Sequence, residues 1–182
     1  GNASVVFASN FNVNNGGTYN HDAVGSSVGG AAADFPGTTR TFGATSSTVI
    51  TKWANGSSPT ALPSISFGNL TINVASLAGS WQQSGSITSI QGDLVVQATG
   101  GTTREFRVTS SVNTTLTIGG SVTVSGGILT MSSGAGTVTA NISGGFSQSA
   151  GTFTAEGGAG AVGLNFVNPG SGNISLTGGT TN

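Results

Sequence analysis

Apolar and polar residues alternate in short runs along most of the chain. Around residues 120–142 these runs are 122–124, 128–131 and 137–142, with Gly or Ser between them. A period of two predicts half-buried β-strands, and no apolar stripe of helical period spans ten residues. We therefore predict an all-β chain with three short strands in each repeat.

The pattern recurs at a nearly fixed interval. When the segment beginning at Gly120 is aligned with the one beginning at Gly144, nine of 24 positions are identical. A marker of glycine, a small or polar residue and an apolar residue recurs at spacings of 24, 28, 24 and 28 residues. The marker glycines are Gly68, Gly92, Gly120, Gly144 and Gly172. A repeat of this length is typical of a solenoid.

Three strands and three corners per repeat predict a three-sided parallel β-helix with about 24–28 residues per coil. Coils would lie about 4.8 Å apart, so roughly seven coils would form a rod on the order of 35 Å long. The marker glycines should lie at corners, where positive φ or close backbone packing is needed. One inward column should contain Leu70, Leu94, Val122, Phe146 and Ile174. An antiparallel β-sandwich is the alternative, since it also uses many short strands.

The chain is predicted to be a single solenoid domain over residues 1–182, with regular repeats over 66–182 and a less regular part over 1–65. Residues 22–40 form the best candidate for a loop that leaves the repeat, because Gly and Pro end any regular element there. The chain begins at Gly1 and stops in a repeat-like passage without a polar cap. We therefore expect a piece of a longer protein or a subunit that stacks end to end.

Composition narrows the classes of function. The chain has four basic and five acidic residues and a formal net charge of −1. It lacks the clustered Lys and Arg that binding to nucleic acid requires. No apolar run approaches the roughly 20 residues of a membrane span, so we expect no membrane insertion. The absence of Cys excludes disulfides and thiolate chemistry.

The sequence contains few candidate motifs for catalysis or for binding a cofactor or metal. Residues 158–163 match the dinucleotide fingerprint, but a strand pattern follows them instead of a helix, and the same Gly-Ala-Gly occurs at 134–136. We interpret them as a repeat corner. His21 beside Asp22 lacks the further ligands of a metal site and is expected to be a polar residue at the end of a strand. We predict no catalytic residue, no cofactor and no metal.

Five side chains are candidates for ligand contact: Trp53, Trp81, Tyr19, Arg104 and Arg107. If the three aromatic residues are exposed and aligned, they could stack on sugar rings. On a strand with Phe106 facing inward, Glu105 and Arg107 would pair on the outer face. That pair would either lie on a solvated sheet edge, where its charges discourage edge-to-edge pairing of sheets, or contact an acidic sugar.

Two further functions would each need a particular arrangement. Ice binding would need outward columns of threonine, for which Thr71, Thr123 and Thr130 with Thr154 are the candidates. A degenerate polysaccharide lyase or hydrolase would need carboxylates and a cation in one groove, since such enzymes abstract a proton. The residues available for this are Asp22, Asp34, Asp93 or Glu105, with Arg104 or Lys52.

Residues 68–72, 92–96 and 145–153 resemble the repeats of large secreted surface proteins of Bacteroidetes, of the kind exported by the type IX secretion system. They are similar more loosely to β-helical adhesins. The resemblance covers residues 66–182 and implies a secreted, extracellular or cell-surface location, without a shared catalytic motif. We expect a non-enzymatic structural or adhesive segment that associates end to end or with the rest of a longer solenoid. A carbohydrate- or ice-binding module is the alternative, and a degenerate polysaccharide lyase or hydrolase is the third.

Overall fold

A computed structural model describes residues 10–22, 35–53, 61–167 and 174–182. These residues form 18 β-strands and no helix. In chain order, β1 to β18 are Asn10–Val13, Thr18–Asp22, Thr39–Phe42, Ser47–Lys52, Asn69–Asn73, Trp81–Gln82, Ser89–Ile90, Leu94–Ala98, Phe106–Thr109, Thr114–Ile118, Val122–Val124, Ile128–Ser132, Val138–Ile142, Phe146–Gln148, Thr152–Glu156, Val162–Phe166, Ile174–Leu176 and Thr180–Thr181.

The strands stack on three faces. Face 1 holds β7, β10, β13 and β16, and a separate two-stranded sheet holds β1 and β3. Face 2 holds β2, β4, β5, β8, β11, β14 and β17, and face 3 holds β6, β9, β12, β15 and β18. Every strand pair that the structure describes is parallel. The predicted parallel β-solenoid of about 24 residues per coil is confirmed, and the antiparallel sandwich is excluded.

The solenoid has about five turns, fewer than the roughly seven expected from the sequence. Face 2 does stack seven strands, but face 3 begins only at β6. The first two turns are formed by β1 with β2 and by β3 with β4, and among the described residues neither has a strand on face 3. Most of the predicted loop at 22–40 lies outside the described residues, since 23–34 do not belong to them.

The core consists of inward columns with one side chain per turn. The predicted column is confirmed, since register joins Leu70, Leu94, Val122, Phe146 and Ile174. A second column on face 2 contains Ile50, Ile72, Val96, Val124, Gln148 and Leu176. The column on face 3 contains Trp81, Phe106, Leu129, Phe153 and Thr181. Burial of these apolar columns drives the stacking of the coils.

Trp53 and Trp81 belong to this core. Their exposed fractions are 4% and 0%, and their rings stack with centroids 4.7 Å apart at an angle of 30°. Trp81 also packs edge-on against Phe106 at 5.4 Å. The expectation that these two residues contact a ligand required exposed rings, and the structure corrects it. Trp81 occupies an inward position of the strand register, and this position buries its large apolar ring even though the indole also carries a polar N–H group.

Four marker glycines, Gly68, Gly92, Gly120 and Gly144, lie where successive coils turn from face 1 to face 2, and Gly172 lies outside the described residues. The amide of Gly92 donates to the carbonyl of Gly68 at 2.9 Å, Gly120 to Gly92 at 2.9 Å, and Gly144 to Gly120 at 2.8 Å. A Cβ on Gly120 would overlap the Asp93 carboxylate and lie 2.8 Å from the Gly92 carbonyl carbon. Close approach between coils, and not positive φ, therefore requires glycine at this corner.

The second Gly-rich corner lies at residues 158–163. The amide of Gly160 donates to the carbonyl of Gly134 at 2.7 Å, and a Cβ on Gly158 would lie 2.6 Å from Gly134 Cα. The strand β16 follows directly. The interpretation of this motif as a repeat corner is confirmed, since no helix opens at these glycines to hold a pyrophosphate.

Replacing Gly120 by alanine should lower the free energy of unfolding by about 1–3 kcal/mol, because the added methyl group overlaps the coil below. Gly163 is the matched control, since a Cβ there has nothing within 4 Å. Gly163→Ala should be neutral or slightly stabilising, because it reduces the freedom of the unfolded chain. Urea denaturation measures both variants. Equal effects at the two positions would contradict the close stacking of coils at the marker corner.

Candidate functional site

Face 3 carries a groove of about 350 Å³ along its outer side. Its floor consists of the outward side chains of β9, β12, β15 and β18, which come from four successive turns. One row contains Arg107, Thr130 and Thr154, and the other contains Ile128, Thr152 and Thr180. Adjacent strands lie about 4.8 Å apart, so the floor is about 14 Å long. Corner residues such as Thr102 and Ser133 complete the lining.

A hydrogen-bonded charge pair lies at one end of the groove. Arg107 donates from Nε to Glu105 Oε2 at 2.9 Å and from Nη2 to Oε1 at 3.0 Å. The hydroxyl of Thr130, buried in the floor, donates to Glu105 Oε2 at 2.7 Å. The hydrogen bond from Arg107 is the main reason why the pKa of Glu105 lies below its ordinary value. The predicted pairing is confirmed, with Phe106 facing inward and 1% exposed.

Several other polar groups in the groove have no hydrogen-bond partner among the described residues. The hydroxyls of Thr152, Thr154 and Thr180 make no hydrogen bond within the residues that the structure describes, and the Nη1 group of Arg107 makes none there either. A threonine hydroxyl can donate and accept, whereas the guanidinium only donates. The groove therefore offers several fixed hydrogen-bonding groups to a ligand.

A buried titratable cluster lies in the first two turns. His21 is 1% exposed, and its Nδ1 and the Tyr19 hydroxyl share a hydrogen bond of 2.8 Å. The His21 ring stacks on Phe35 at 5.2 Å and packs against Trp53 at 4.8 Å. Burial lowers the pKa of His21 to about 4 and raises the pKa of Tyr19 to about 12. The hydroxyl of Tyr19, a candidate ligand contact, is thus engaged inside the molecule.

The polar end of a strand that we expected at His21 is instead a core position. His21 lies within β2 and points inward, whereas its neighbour Asp22 points outward. The Asp22 carboxylate pairs with Lys52 Nζ at 2.9 Å on the exposed side of face 2. That contact is the largest reason why the pKa of Asp22 is lowered. Among the described residues, no carboxylate is therefore hydrogen-bonded to His21 to orient it as a general base.

The carboxylates that a polysaccharide-cleaving enzyme would need lie apart. Asp22 pairs with Lys52 in the first two turns, Asp93 Oδ1 accepts the Ser121 amide at a corner at 2.7 Å, and Glu105 lies in the groove. Asp34 lies outside the described residues. Arg104 is exposed just before β9 and does not line the groove. In the described ranges no three His, Cys, Asp or Glu residues lie close enough to hold a metal ion.

The threonine columns expected for ice binding are short. Val95 separates Thr71 from Thr123 on face 2, and Arg107 precedes the pair of Thr130 and Thr154 on face 3. Across the ladders that the structure describes, no more than two threonines follow one another in register. Such short columns do not form an extended flat array of hydroxyls.

In comparisons with known proteins, no family model, no curated protein and no solved structure matches the chain. In the described part of the chain, no helix has the length and apolar composition to cross a membrane. The fold defines the class as a parallel β-solenoid repeat protein. The resemblance to secreted surface proteins rests on the repeat residues alone.

Proposed function

We propose that this chain is a non-enzymatic structural or adhesive segment of an extracellular surface protein or fibre. We further propose that it associates with a second copy through one end of its solenoid. The observation that carries this proposal is the difference between the two ends. In the last turn the inward side chains of β17 are exposed and those of β16 are half-buried, whereas Val13 and His21 in the first turn are buried.

In the last turn, formed by β16 to β18, the strand β17 presents apolar inward side chains to solvent. Ile174 and Leu176 are 63% and 54% exposed, whereas Phe146 and Gln148, one turn earlier in the same columns, are 4% and 1% exposed. A terminal capping repeat would have a polar outer face. These strands are also an edge, where unpaired backbone groups can pair with another chain. Both features favour a further layer of strands on this turn.

The first two turns pack around a buried aromatic residue. Phe35 is 1% exposed and packs on Tyr19 at 5.3 Å and on His21 at 5.2 Å. Arg40 holds the backbone of this segment, because Nε donates to the Pro36 carbonyl and Nη2 to the Phe35 carbonyl, each at 2.9 Å. We assign the contact to the last turn, the open end, because its Ile174 and Leu176 are exposed. Two copies joined through their open ends form a closed twofold dimer, whereas head-to-tail stacking would form a filament.

The proposed extracellular location has separate support. The repeats at 68–72 and 92–96 resemble those of secreted surface proteins of Bacteroidetes that use the type IX secretion system, and more loosely those of β-helical adhesins. Protease treatment of intact producing cells tests this location. We expect the chain to be cleaved without lysis, and protection until lysis would contradict an exposed position.

Association through the open end predicts a strong effect of charge at Ile174 and Leu176. The wild-type chain should sediment as a dimer, and the double variant Ile174→Asp, Leu176→Asp should weaken association at least a hundredfold, or about 3 kcal/mol. Unpaired carboxylates are costly to bury between apolar surfaces. Val112→Asp is the matched control, since Val112 is 45% exposed away from this end. A wild-type monomer at all concentrations, or equal effects of the variants, would contradict the proposal.

A further inference from the structure

We propose that the groove on face 3 is a binding site for a neutral oligosaccharide. The site lies on the side of the rod, so it adds a ligand to the structural role and does not depend on association through the end. Its floor is formed by outward side chains of paired strands, and its volume of about 350 Å³ suits a small ligand. The choice of ligand class follows from the charge and the hydrogen-bonding groups of the groove.

The charge of the groove favours an uncharged ligand. Glu105 and Arg107 carry opposite charges and neutralise each other through two hydrogen bonds. Glu105 Oε2 also accepts the Thr130 hydroxyl, so the carboxylate already has three hydrogen bonds and a cationic partner. An acidic sugar would have to approach this carboxylate, and Arg104 lies outside the lining. The acidic sugar considered from the sequence around Arg104 is therefore disfavoured here.

The hydrogen-bonding groups match those of a sugar. The hydroxyls of Thr152, Thr154 and Thr180 have no partner in the described part of the chain, and each can both donate and accept, as sugar hydroxyls do. The Nη1 group of Arg107 adds a donor at one end of the groove. Ile128 supplies an apolar patch in the same row as Thr152, suited to the C–H groups of a ring. Binding groups thus line the groove along its length.

The floor is preorganised. Thr154 and Thr152 lie on β15, which pairs in register with β12, and Leu129 and Phe153 beneath them are 0% and 5% exposed. Threonine has few χ1 rotamers in such a position, so binding loses little side-chain freedom. The spacing of about 4.8 Å between strands repeats the hydroxyl groups along the groove. A chain of linked sugar units fits this arrangement better than a single compact ligand.

Titration of the ¹⁵N-labelled chain with maltotriose, cellotriose, chitotriose and trigalacturonate tests the site. At least one neutral trisaccharide should bind with a Kd on the order of 1 mM, and the shifted amides should cluster at 105–107, 128–130 and 152–154. Thr154→Val removes one hydroxyl at nearly constant shape and should weaken binding at least fivefold. Thr139→Val makes the same change on exposed face 1 and should leave the Kd unchanged.

A second variant keeps the charge of the pair. Arg107→Lys retains a cation beside Glu105 but loses the planar guanidinium donors, so binding should weaken at least fivefold while the fold persists. The proposal is overturned if no neutral sugar binds, if trigalacturonate binds most tightly, or if Thr154→Val and Thr139→Val behave alike. The two proposals can fail independently. In sedimentation the Thr154→Val chain should still dimerise, and in the titration the Ile174→Asp, Leu176→Asp chain should still bind sugar.

Discussion

Replacing Trp81 by alanine should lower the free energy of unfolding by about 3–5 kcal/mol, because the deletion leaves a cavity in a packed core. The Trp81 side chain is fully buried between Trp53, 4.7 Å away, and Phe106, 5.4 Å away. The cavity would lie at the start of the inward column of face 3, where three aromatic rings meet. Urea denaturation followed by far-UV circular dichroism measures the loss.

Two variants serve as controls for this prediction. Trp81→Phe keeps an aromatic ring at the position and should cost clearly less than Trp81→Ala. Val112→Ala shortens a side chain that is 45% exposed and should change stability by less than about 0.5 kcal/mol. If Trp81→Ala proved no more damaging than Val112→Ala, the inward register of face 3 would be wrong.

Lowering the pH from 7 to 4 should destabilise the fold by about 3 kcal/mol through His21. Burial lowers the pKa of His21 from 6.5 to about 4, so the unfolded chain takes up the proton first. The contribution of neutral His21 to the free energy of unfolding is fully present above pH 6.5 and is lost as the pH falls toward 4. Its size follows from the pKa difference between the folded and the unfolded chain, since each unit is worth about 1.4 kcal/mol. Denaturation curves at several pH values measure this loss.

His21→Gln provides the matched comparison, since it removes the titrating ring and keeps a polar side chain. The variant should be less stable at pH 7, but the fall in stability between pH 6.5 and 4 should largely vanish. Asp22 and Glu105 have lowered pKa values and lose their own contributions at lower pH. Glu105 titrates alike in both chains, and the variant changes the pKa of Asp22 only by the contribution of His21, the smallest of its causes. Parallel pH profiles for the two chains would show that His21 is not buried in its neutral form.

The architecture was predictable because a parallel solenoid imposes one register on every coil. The marker spacings of 28 and 24 residues placed Leu94, Val122 and Phe146 in one column, and the structure confirms it. The marker glycines were also placed at a corner, where Gly120 stacks on Gly92. The first two turns were less predictable, since the strands described there, β1 to β4, give two strands per turn and not three.

The candidate site was predictable only in part. Strand alternation around Phe106 predicted the pairing of Glu105 with Arg107, because residues two apart share a face. The groove itself depends on how the corners near Thr102 and Ser133 project beside the floor, and no local pattern encodes that. Thr152 and Thr154 were visible only as a common Thr-x-Thr run. Their position beside Arg107 arises from stacking across turns.

Hydrogen exchange over a range of protein concentrations tests most directly whether the open turn is an interface between two copies. As the concentration rises through the association range, amides of β16 and β17 should gain protection, because the edge strands become paired and the exposed Ile174 and Leu176 become covered. Amides of β4 and β5, in the interior of face 2, should exchange equally slowly throughout. Exchange of β16 and β17 that stays unchanged at every concentration would contradict association through this end.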